Sequence, residues 1–500
     1  MPVKDLVIGV DCSTTAAKAI VWDAGGRAVS EGRAPIELLS PRPGWYEQRA
    51  RDWWDAASAA IRQSVAAVVP ERLAAISITH QRETFVPLDE SGEALSNAIV
   101  WMDERAAGQV DSFGALFGRE RILGTTGKPP CVTPSLYKML WLRANERALF
   151  RRAVFADVHA YLTLRLTGEL ATAVASADPM GLCDLRRGDW DDDLLDAAGL
   201  DRQKLPRLVA TGSVLGRITG DAARATGLPE GIPVVAGGGD GQIAALGAGL
   251  VGPGRAYLNL GTAVVLGVVS PTSVTSLAFR TMAGAQPGTF VLESDLKGGA
   301  FTIEWLLERF GGGSSAADLD RLAGPLPPGA GGLVAVPYWA SVMNPYWDDE
   351  ASGIVVGWTG AHGPGHLHRA ILEGIAMEQR LAIERMEPAA GSIGEIVVLG
   401  GGAKSDLWRR IIADATARRV VPSGTVEATC LGAGILAAVG AGLHPDLVSA
   451  VRAMTFLGEA IEPGPDAPRY ERLFREVYQP LYPSVREILG RLAAFRRAGE

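Results

Sequence analysis

The chain opens with two apolar runs that enclose a short polar one. In LVIGVDCSTTAAKAIVWD (residues 6–23), an acid, a cysteine, a serine and two threonines separate runs rich in β-branched residues. Runs of this kind are typical of buried strands, so the pattern predicts a strand, a polar turn and a second strand. Asn-Gly or Asp-Gly would be enough to close the turn. The additional acid and hydroxyls indicate that the turn holds something.

A second segment, AYLNLGTAVVLGVVS (residues 256–270), repeats this pattern. Three turn positions align at a constant spacing of 248 residues: Asp11 with Asn259, Ser13 with Gly261, and Thr14 with Thr262. This spacing is half of the 500-residue chain, which predicts two similar α/β domains facing each other across a ligand-binding cleft. Gly and Pro cluster in GAGLVGPGRA, so we place the boundary near residue 250, between domains 1–248 and 249–500.

The remaining pattern alternates strands with helices, as a mixed α/β fold requires. Apolar residues recur at helical spacing in five segments: residues 52–68, 135–150, 298–310, 366–386 and 404–419. Strands are predicted for LAAISIT, for PVVAGGG and for the apolar run before Gly400. The Gly-, Pro- and Ser-rich residues 309–332 are expected to form a surface excursion around one short helix.

Composition excludes several classes of function. The net charge of -8 and pI near 5.5 argue against a general binder of nucleic acid or of anionic membranes. Four widely spaced cysteines form no C-x-x-C motif, so a zinc site or disulfide framework is not indicated and a reducing cytoplasm is expected. HGPGHLH also matches no zinc pattern. Neither a targeting signal nor an apolar run long enough to span a membrane is visible.

The paired turns have the chemistry of a phosphate site. Backbone amides and hydroxyls in tight turns surround phosphate oxygens, and the small residues Ser13, Thr14, Gly261 and Thr262 permit close approach. A carboxylate at Asp11 would repel phosphate, so it suggests an intervening cation, most plausibly hydrated Mg²⁺. The alternative is an Asx turn that only closes the hairpin.

Two further glycine-rich turns are candidates for ligand contact. Gly400 to Gly402 lie between a buried strand and a helix begun by Ser405 or Asp406, where a phosphate or flat ligand approaches the backbone closely. Neither G-x-G-x-x-G nor a Walker A motif occurs, and a simple tight turn is the alternative. Three glycines also precede Asp240, whose carboxylate would accept a proton from an attacking hydroxyl or merely cap a helix.

The segment THQRETFVPLD follows a strand at the end where open α/β sheets bind ligands. Its Arg82 and Glu83 provide the donor and acceptor that neighbouring sugar hydroxyls need, unless they form only a surface ion pair.

In this order, these elements resemble the FGGY family of carbohydrate kinases over nearly the whole chain. GVDCSTTAAKAIVWD and LNLGTA are similar to the family's two phosphate motifs, and VVLGGGAKSDLWRRIIADA with EATCLGAGILAAVGAG to its adenosine motif. PGWYEQRARDWW, IVWMDERA, GGGDGQIAALGAG and RAILEGIAM also resemble family segments. The resemblance implies two ribonuclease-H-like domains, as in actin, hexokinase and Hsp70-type ATPases, that flank a deep cleft and close over sugar and ATP.

The resemblance also implies roles for individual residues. Asp240 would be the general base, and Asp11 would hold Mg²⁺ through water, with Asp240 as a second candidate for the metal. Residues implied at ATP are Ser13, Thr14, Thr15, Lys18, Gly261 and Thr262 at the phosphates, and Glu304, Gly401, Gly402 and Asp406 near adenosine. Those implied at the sugar are Arg82, Glu83, Trp101, Asp240 and Gln242.

The acceptor is less well defined by the motifs. HQRET is similar to glycerol kinases, whereas GDGQ replaces their GDQQ and Thr133 stands where that group usually has Tyr. We expect a ketopentose such as xylulose, with a glycerol or tetritol kinase as the alternative. An actin- or Hsp70-like nucleotide switch without a sugar substrate is the alternative from another class, and a regulator that has lost catalysis is a third. A homodimer is kept open beside a monomer.

Overall fold

The structure is a computed structural model that describes residues 3–498. The strands of its first half are β1 (Leu6–Cys12), β2 (Ala16–Asp23), β3 (Ala28–Pro35), β4 (Glu47–Gln48), β5 (Leu73–His80), β6 (Phe85–Leu88), β7 (Ala98–Ile99), β8 (Val154–Asp157), β9 (Ala171–Ala173), β10 (Cys183–Asp184), β11 (Asp189–Trp190), β12 (Arg207–Val209), β13 (Val214–Arg217) and β14 (Pro233–Gly239). Those of its second half are β15 (Arg255–Leu260), β16 (Val264–Ser270), β17 (Arg280–Ala283), β18 (Phe290–Leu296), β19 (Val334–Val336), β20 (Ile354–Val356), β21 (Glu395–Leu399) and β22 (Arg419–Pro422).

Helices cover the sheets and connect their parallel strands. The first half contains α1 (Ala50–Val65), α2 (Ala107–Phe113), α3 (Arg119–Thr126), α4 (Ser135–Asn145), α5 (Arg147–Arg152), α6 (Val158–Thr167), α7 (Val174–Ala177), α8 (Asp192–Ala198), α9 (Gly220–Thr226) and α10 (Asp240–Gly247). The second half contains α11 (Ala300–Phe310), α12 (Ala316–Ala323), α13 (Pro364–Ala390), α14 (Asp406–Thr416), α15 (Ala428–Gly440), α16 (Leu447–Met454), α17 (Ala467–Leu473) and α18 (Gln479–Ala498).

The five predicted helices are present, with different limits in two places. The segment 135–150 is divided into α4 and α5, with a break at Glu146. The helix predicted from residue 366 begins earlier, because Pro364 is the first residue of α13 and both His366 and His368 lie in its first turns. Proline is well suited to this first helical position, where its missing N–H has no partner to lose. The glycine-rich excursion contains α12, as predicted.

The duplication predicted from the two polar turns is confirmed by the topology. The two large sheets have the strand orders β13-β14-β5-β1-β2-β3 and β17-β18-β16-β15-β21-β22. In each, the strand before the polar turn pairs antiparallel with the strand after it and parallel with a later strand. The first strands end at Cys12 and Leu260 and the next begin at Ala16 and Val264, so both limits are 248 residues apart.

Strand direction brings the candidate residues to one edge of each sheet. β1, β5 and β14 are parallel, so Asp11, the segment after His80 and Asp240 all lie at the carboxyl edge of the first sheet. β15 and β21 are likewise parallel, which places Thr262 and Gly400 at the corresponding edge of the second sheet.

A helix of the second half packs directly on the first sheet. A Cβ at Gly9 in β1 would lie 1.9 Å from the carbonyl oxygen of Cys430 in α15, and one at Gly432 would lie 2.0 Å from that of Ile243 in α10. Only glycine permits contacts this close. The two halves therefore share an interface in which α15 lies against β1 and α10. The domain boundary near residue 250 stays a prediction.

A buried carboxyl group in α13 gives the second half a pH-dependent stability. Glu378 accepts hydrogen bonds from Tyr478 (2.7 Å) and Tyr338 (3.0 Å), and burial raises its pKa to about 7 against the opposing effect of these bonds. A raised pKa means that this stabilisation is complete below the ordinary value near 4.5 and is lost as the pH rises through about 7. We expect a loss of up to about 3 kcal/mol between pH 4.5 and 8.

Glu378→Gln should abolish most of this loss. Urea unfolding of the wild type and the variant at pH 5 and pH 8 would measure it, with Glu384→Gln on the same helix as the control. An equal pH dependence of unfolding in the wild type and in Glu378→Gln would contradict the prediction.

Candidate active site

Asp240 lies at the first position of α10, directly after β14. Its side chain makes no capping bond to the next helical turn, and its Oδ1 accepts from the backbone N–H of Gly241 at 2.8 Å and from Arg82 Nε at 2.9 Å. The side chain is 43% exposed, so the carboxylate is accessible to solvent. Simple helix capping, the alternative for this residue, is therefore not what its side chain does.

Arg82 is the centre of a buried network of charges that joins the two sheets. Besides Asp240, it contacts Glu293 of β18 at 2.9 Å. Arg280 of β17 contacts Glu293 at 2.6 Å and Glu83 at 3.0 Å. Arg82 and Glu83 thus do not form a surface ion pair with each other. Each is held by a residue of the second half.

The glycines around Asp240 have a different role from the one expected. The three glycines before Asp240 are predicted to let a ligand approach its carboxylate, but a Cβ at Gly239, the last of them, would lie 2.4 Å from Arg82 Cγ. A Cβ at Gly241, which follows Asp240, would lie 2.6 Å from Glu293 Oε2. These glycines make room for the protein's own arginine and glutamate. Gln242 is fully buried, donates to the carbonyl of Ala175 at 3.0 Å, and approaches the site only through Arg82.

Gly241→Ala should therefore impair the site without weakening the helix. Alanine is the better helix former, so the expected effect is displacement of Arg82 and Glu293 and a roughly tenfold lower kcat/KM for the acceptor. Gly108→Ala is the matched control, because Gly108 also stands second in its helix and has nothing within 4 Å of a Cβ. Steady-state kinetics would show the difference, and equal values for the two variants would contradict this expectation.

The first polar turn contacts the Arg82 segment through side chains. Trp101 Nε1 donates to Thr14 Oγ1 at 3.0 Å, and Thr14 Oγ1 donates to Gln81 Oε1 at 3.2 Å. Ser13 closes the turn, since both its N–H and its hydroxyl donate to the carbonyl of Ala16 at 2.9 Å. Thr15 is exposed. Thr14 and Trp101, predicted at phosphate and sugar respectively, are therefore neighbours.

Asp11 lies next to this turn in an unfavourable electrostatic setting. Its Oδ1 is buried without a hydrogen-bond partner. Burial raises the pKa of Asp11 to about 8, and the charges of Asp240 and Glu427 add to the effect while Lys18 opposes it. Lys18 does not simply point to solvent, because its Nζ contacts Glu427 at 2.5 Å. An orphaned carboxylate oxygen of this kind fits a divalent cation held through water. Within residues 3–498, no group of three or more His, Cys, Asp and Glu side chains is placed to hold a metal ion directly.

The candidate adenosine residues lie on the second sheet. The backbone of α11 is bonded to the carbonyls of Gly261 and Thr262 at 3.1 Å, which places exposed Glu304 one turn above that hairpin. A Cβ at Gly400 would lie 2.5 Å from Asn259 Oδ1, whereas Gly401 faces open space.

Gly402 completes this turn by packing closely. A Cβ there would lie 2.4 Å from the Trp408 ring. Ser405 caps α14 by accepting from the N–H of Trp408, and Asp406 is exposed as the first residue of the helix. A Cβ at Gly402 would also lie 2.9 Å from Leu260 Cβ, so the glycine turn is adjacent to the second hairpin.

Sequence reasoning missed three charged residues of the site: Arg280, Glu293 and Glu427. Arg280 and Glu293 lie in segments without a motif, and Glu427 begins the adenosine-motif segment EATCLGAGILAAVGAG, where it was given no role. Each reaches the site only because the two halves pack together. The one available signal for Glu293 was the pair of acids, Glu293 and Asp295, within the strand FVLESDL.

Family models and known proteins match nearly the whole chain. Models of the N-terminal and C-terminal domains of the FGGY family of carbohydrate kinases match residues 6–247 and 256–441. The chain is 30% identical to the xylulose kinase of Bacillus subtilis, over 98% of this chain and 99% of that one. It is 32% identical to the glycerol kinase of Thermococcus gammatolerans, over 97% and 98%.

Solved structures give the same result. A ligand-bound xylulose kinase from Lactobacillus acidophilus superimposes with a TM-score of 0.93 at 25% identity, over 97% of this chain and 99% of that one. A xylulose kinase from Rhodospirillum rubrum gives 0.89 at 30% identity, over 97% and 100%.

The two family models and the kinase relatives show a phosphotransferase that uses an alcohol group as acceptor. The chain belongs to the FGGY family of carbohydrate kinases. The family implies ATP as the phosphoryl donor and a small sugar as acceptor, which decides against a nucleotide switch without a sugar substrate. Within residues 3–498, no helix is both long enough and apolar enough to cross a membrane.

Proposed function

We propose that this chain transfers the γ-phosphoryl group of ATP to a hydroxyl of a ketopentose such as D-xylulose. The observation that carries the chemistry is the accessible Asp240 carboxylate, held at 2.9 Å by Arg82 where the two sheets meet. The choice of acceptor is supported by the likeness to two xylulose kinase structures and to the B. subtilis enzyme.

In the proposed reaction, Asp240 accepts the proton of the attacking hydroxyl. The sugar oxygen forms a bond to the γ-phosphorus, the bond between that phosphorus and the β,γ-bridging oxygen breaks, and ADP leaves with the electron pair. The transition state is loose and highly charged, so most of the acceleration comes from alignment of the reactants. Arg82 fixes the carboxylate, while Glu83 and Trp101 line the acceptor position beside it.

The nucleotide would lie along the carboxyl edges of both sheets. Ser13, Thr14 and Thr15 on one side and Gly261 and Thr262 on the other offer backbone N–H groups and hydroxyls to the phosphates. We assign Lys18 a supporting role, since Glu427 already holds its ammonium group. Adenosine would lie beside the residues named for it above: Glu304, Gly401, Gly402 and Asp406.

Mg²⁺ fits this arrangement because Asp11 has a buried carboxylate oxygen without a partner. Asp11 would hold the ion through water, with Asp240 as the nearest further acid. When bound, the ion neutralises phosphate charge. We also propose a cytoplasmic location, consistent with four cysteines that are all unpaired.

A glycerol or tetritol kinase is the second candidate. It is favoured by the segment Gln81 to Thr84, which resembles that of glycerol kinases, and by the 32% identity to the T. gammatolerans enzyme.

A panel of acceptors tests the proposal. ADP release would be followed with D-xylulose, D-ribulose, glycerol, erythritol and gluconate at saturating ATP. We expect the highest kcat/KM with D-xylulose. A higher value with glycerol or erythritol would establish the second candidate, and no turnover of any acceptor would contradict both.

A further inference from the structure

Glu293 is a fully paired carboxylate on the far side of Arg82 from Asp240. It is completely buried and accepts hydrogen bonds from Arg280 (2.6 Å), Arg82 (2.9 Å) and the hydroxyl of Tyr257 (3.2 Å). Although burial alone would raise its pKa, Arg82 and Arg280 lower the pKa of Glu293 to about 2. Glu293 is therefore a permanent negative charge. It lies in β18 of the second large sheet, whereas Arg82 lies in the turn that follows β5 of the first.

Arg280 makes the neighbouring connection on the same hairpin. One of its terminal nitrogens contacts Glu293 and the other contacts Glu83 at 3.0 Å, and its guanidinium is almost entirely buried. Two residues of the second half thus hold two consecutive residues of the first half. Arg82 and Glu83 are the pair assigned to the acceptor under the proposed function.

The geometry divides the guanidinium of Arg82 between two carboxylates. Its Nε faces Asp240 and its Nη1 faces Glu293. An arginine free of Glu293 would be able to turn both arms of its fork onto Asp240, because carboxylates bind guanidinium bidentately. Such a pair would hold Asp240 in its ionised form and out of line with the acceptor. Glu293 prevents this pairing because it occupies Nη1 of Arg82, and it reaches Arg82 only while the two sheets are together.

We propose that Glu293 and Arg280 are positioning residues that couple the approach of the two domains to the alignment of Arg82, Glu83 and Asp240. This inference rests on the proposed role of Asp240 as general base. The inference gives the β17–β18 hairpin a function in the acceptor site, although no sequence motif in the hairpin indicates one. Neither residue touches the transferred phosphoryl group.

Glu293→Gln is the principal variant, and Glu373→Gln is its matched control. Glu373 is also a buried glutamate of the second half with one arginine and one tyrosine partner, Arg369 at 2.7 Å and Tyr470 at 2.8 Å. It lies in α13, outside the charge network of the site. We expect Glu293→Gln to lower kcat at least tenfold with an unchanged KM for ATP, and Glu373→Gln to leave kcat within about twofold.

A second pair of variants keeps the proposal testable where Glu293→Gln folds poorly. Arg280→Lys retains the charge but not the fork that spans two carboxylates, so its kcat should lie between those of the wild type and Arg280→Met. Kinetics would be measured with D-xylulose and glycerol. If the enzyme phosphorylates neither D-xylulose nor glycerol, hydrolysis of ATP serves as the readout, because attack by water on the γ-phosphorus would use the same base.

The outcomes separate this inference from the proposed function. An active Asp240→Asn enzyme would overturn the role of the base and the inference with it. An inactive Asp240→Asn enzyme beside a Glu293→Gln enzyme that behaves like Glu373→Gln would overturn the inference alone. A kcat of Arg280→Met equal to that of the wild type would also contradict it.

Discussion

Replacing Asp240 with Asn is expected to lower kcat for acceptor phosphorylation by about 10²- to 10⁴-fold, the range associated with loss of a general base. Asparagine keeps the shape of the side chain and can accept a hydrogen bond from Arg82 Nε, so the geometry of the network should survive. The side chain is 43% exposed, and Arg82 retains Glu293 as a partner, so little folding energy should be lost.

Binding of ATP should be nearly unaffected by this change, because the phosphate and adenosine turns do not include Asp240. Isothermal titration with ATP and steady-state ADP release would measure both quantities on one preparation. Asp191→Asn is the matched control, since Asp191 is an acid at another helix start that caps Leu194 at 2.9 Å. A kcat within tenfold of the wild type would remove Asp240 from the role of base.

The duplicated hairpins were predictable because the information for them is local. Buried runs, a polar turn and a second buried run fix each unit within about 20 residues. The spacing of 248 residues between Thr14 and Thr262 then identified the second copy. The glycine turn after β21 and Asp240 were also candidates from the residues, and the family resemblance added their roles at adenosine and as general base. Their positions at strand ends follow from the direction of the parallel strands.

The charge network was not predictable from local pattern. Glu293 is separated from Arg82 by 211 residues and Arg280 from Glu83 by 197, and no turn or motif marks either partner. The apolar residues of β17 and β18 predict that these strands are buried, but they do not predict which charged side chain reaches the site. The glycines flanking Asp240 illustrate the same limit, because their need for space is created by Arg82 and Glu293. Tertiary packing, and not local chemistry, decides what approaches a glycine.

Replacing Asp11 with Asn is expected to lower kcat by about 10²-fold and to raise the Mg²⁺ concentration needed for half-maximal activity. One carboxylate oxygen of Asp11 is buried without a partner, and the negative charges of Asp240 and Glu427 disfavour the ionised form of Asp11. The amide that replaces it carries no charge to attract the cation. Titration of kcat with Mg²⁺ at saturating ATP would measure both effects, with Asp23→Asn at the far end of the same hairpin as the control.

The same substitution should make the ligand-free protein more stable. Without a cation, burial and then the charges of Asp240 and Glu427 raise the pKa of Asp11 to about 8, so the folded wild type at neutral pH either buries a charge or takes up a proton, and both lower its stability. Asparagine is neutral and avoids this cost, so the thermal midpoint of Asp11→Asn should exceed that of the wild type in EDTA. Addition of Mg²⁺ should stabilise the wild type more than the variant, because only the wild type keeps the acid that binds the ion. If Asp11→Asn lowers both kcat and the thermal midpoint, Asp11 stabilises the fold. If the variant lowers kcat but raises the thermal midpoint in EDTA, Asp11 acts in cation binding at a cost in stability.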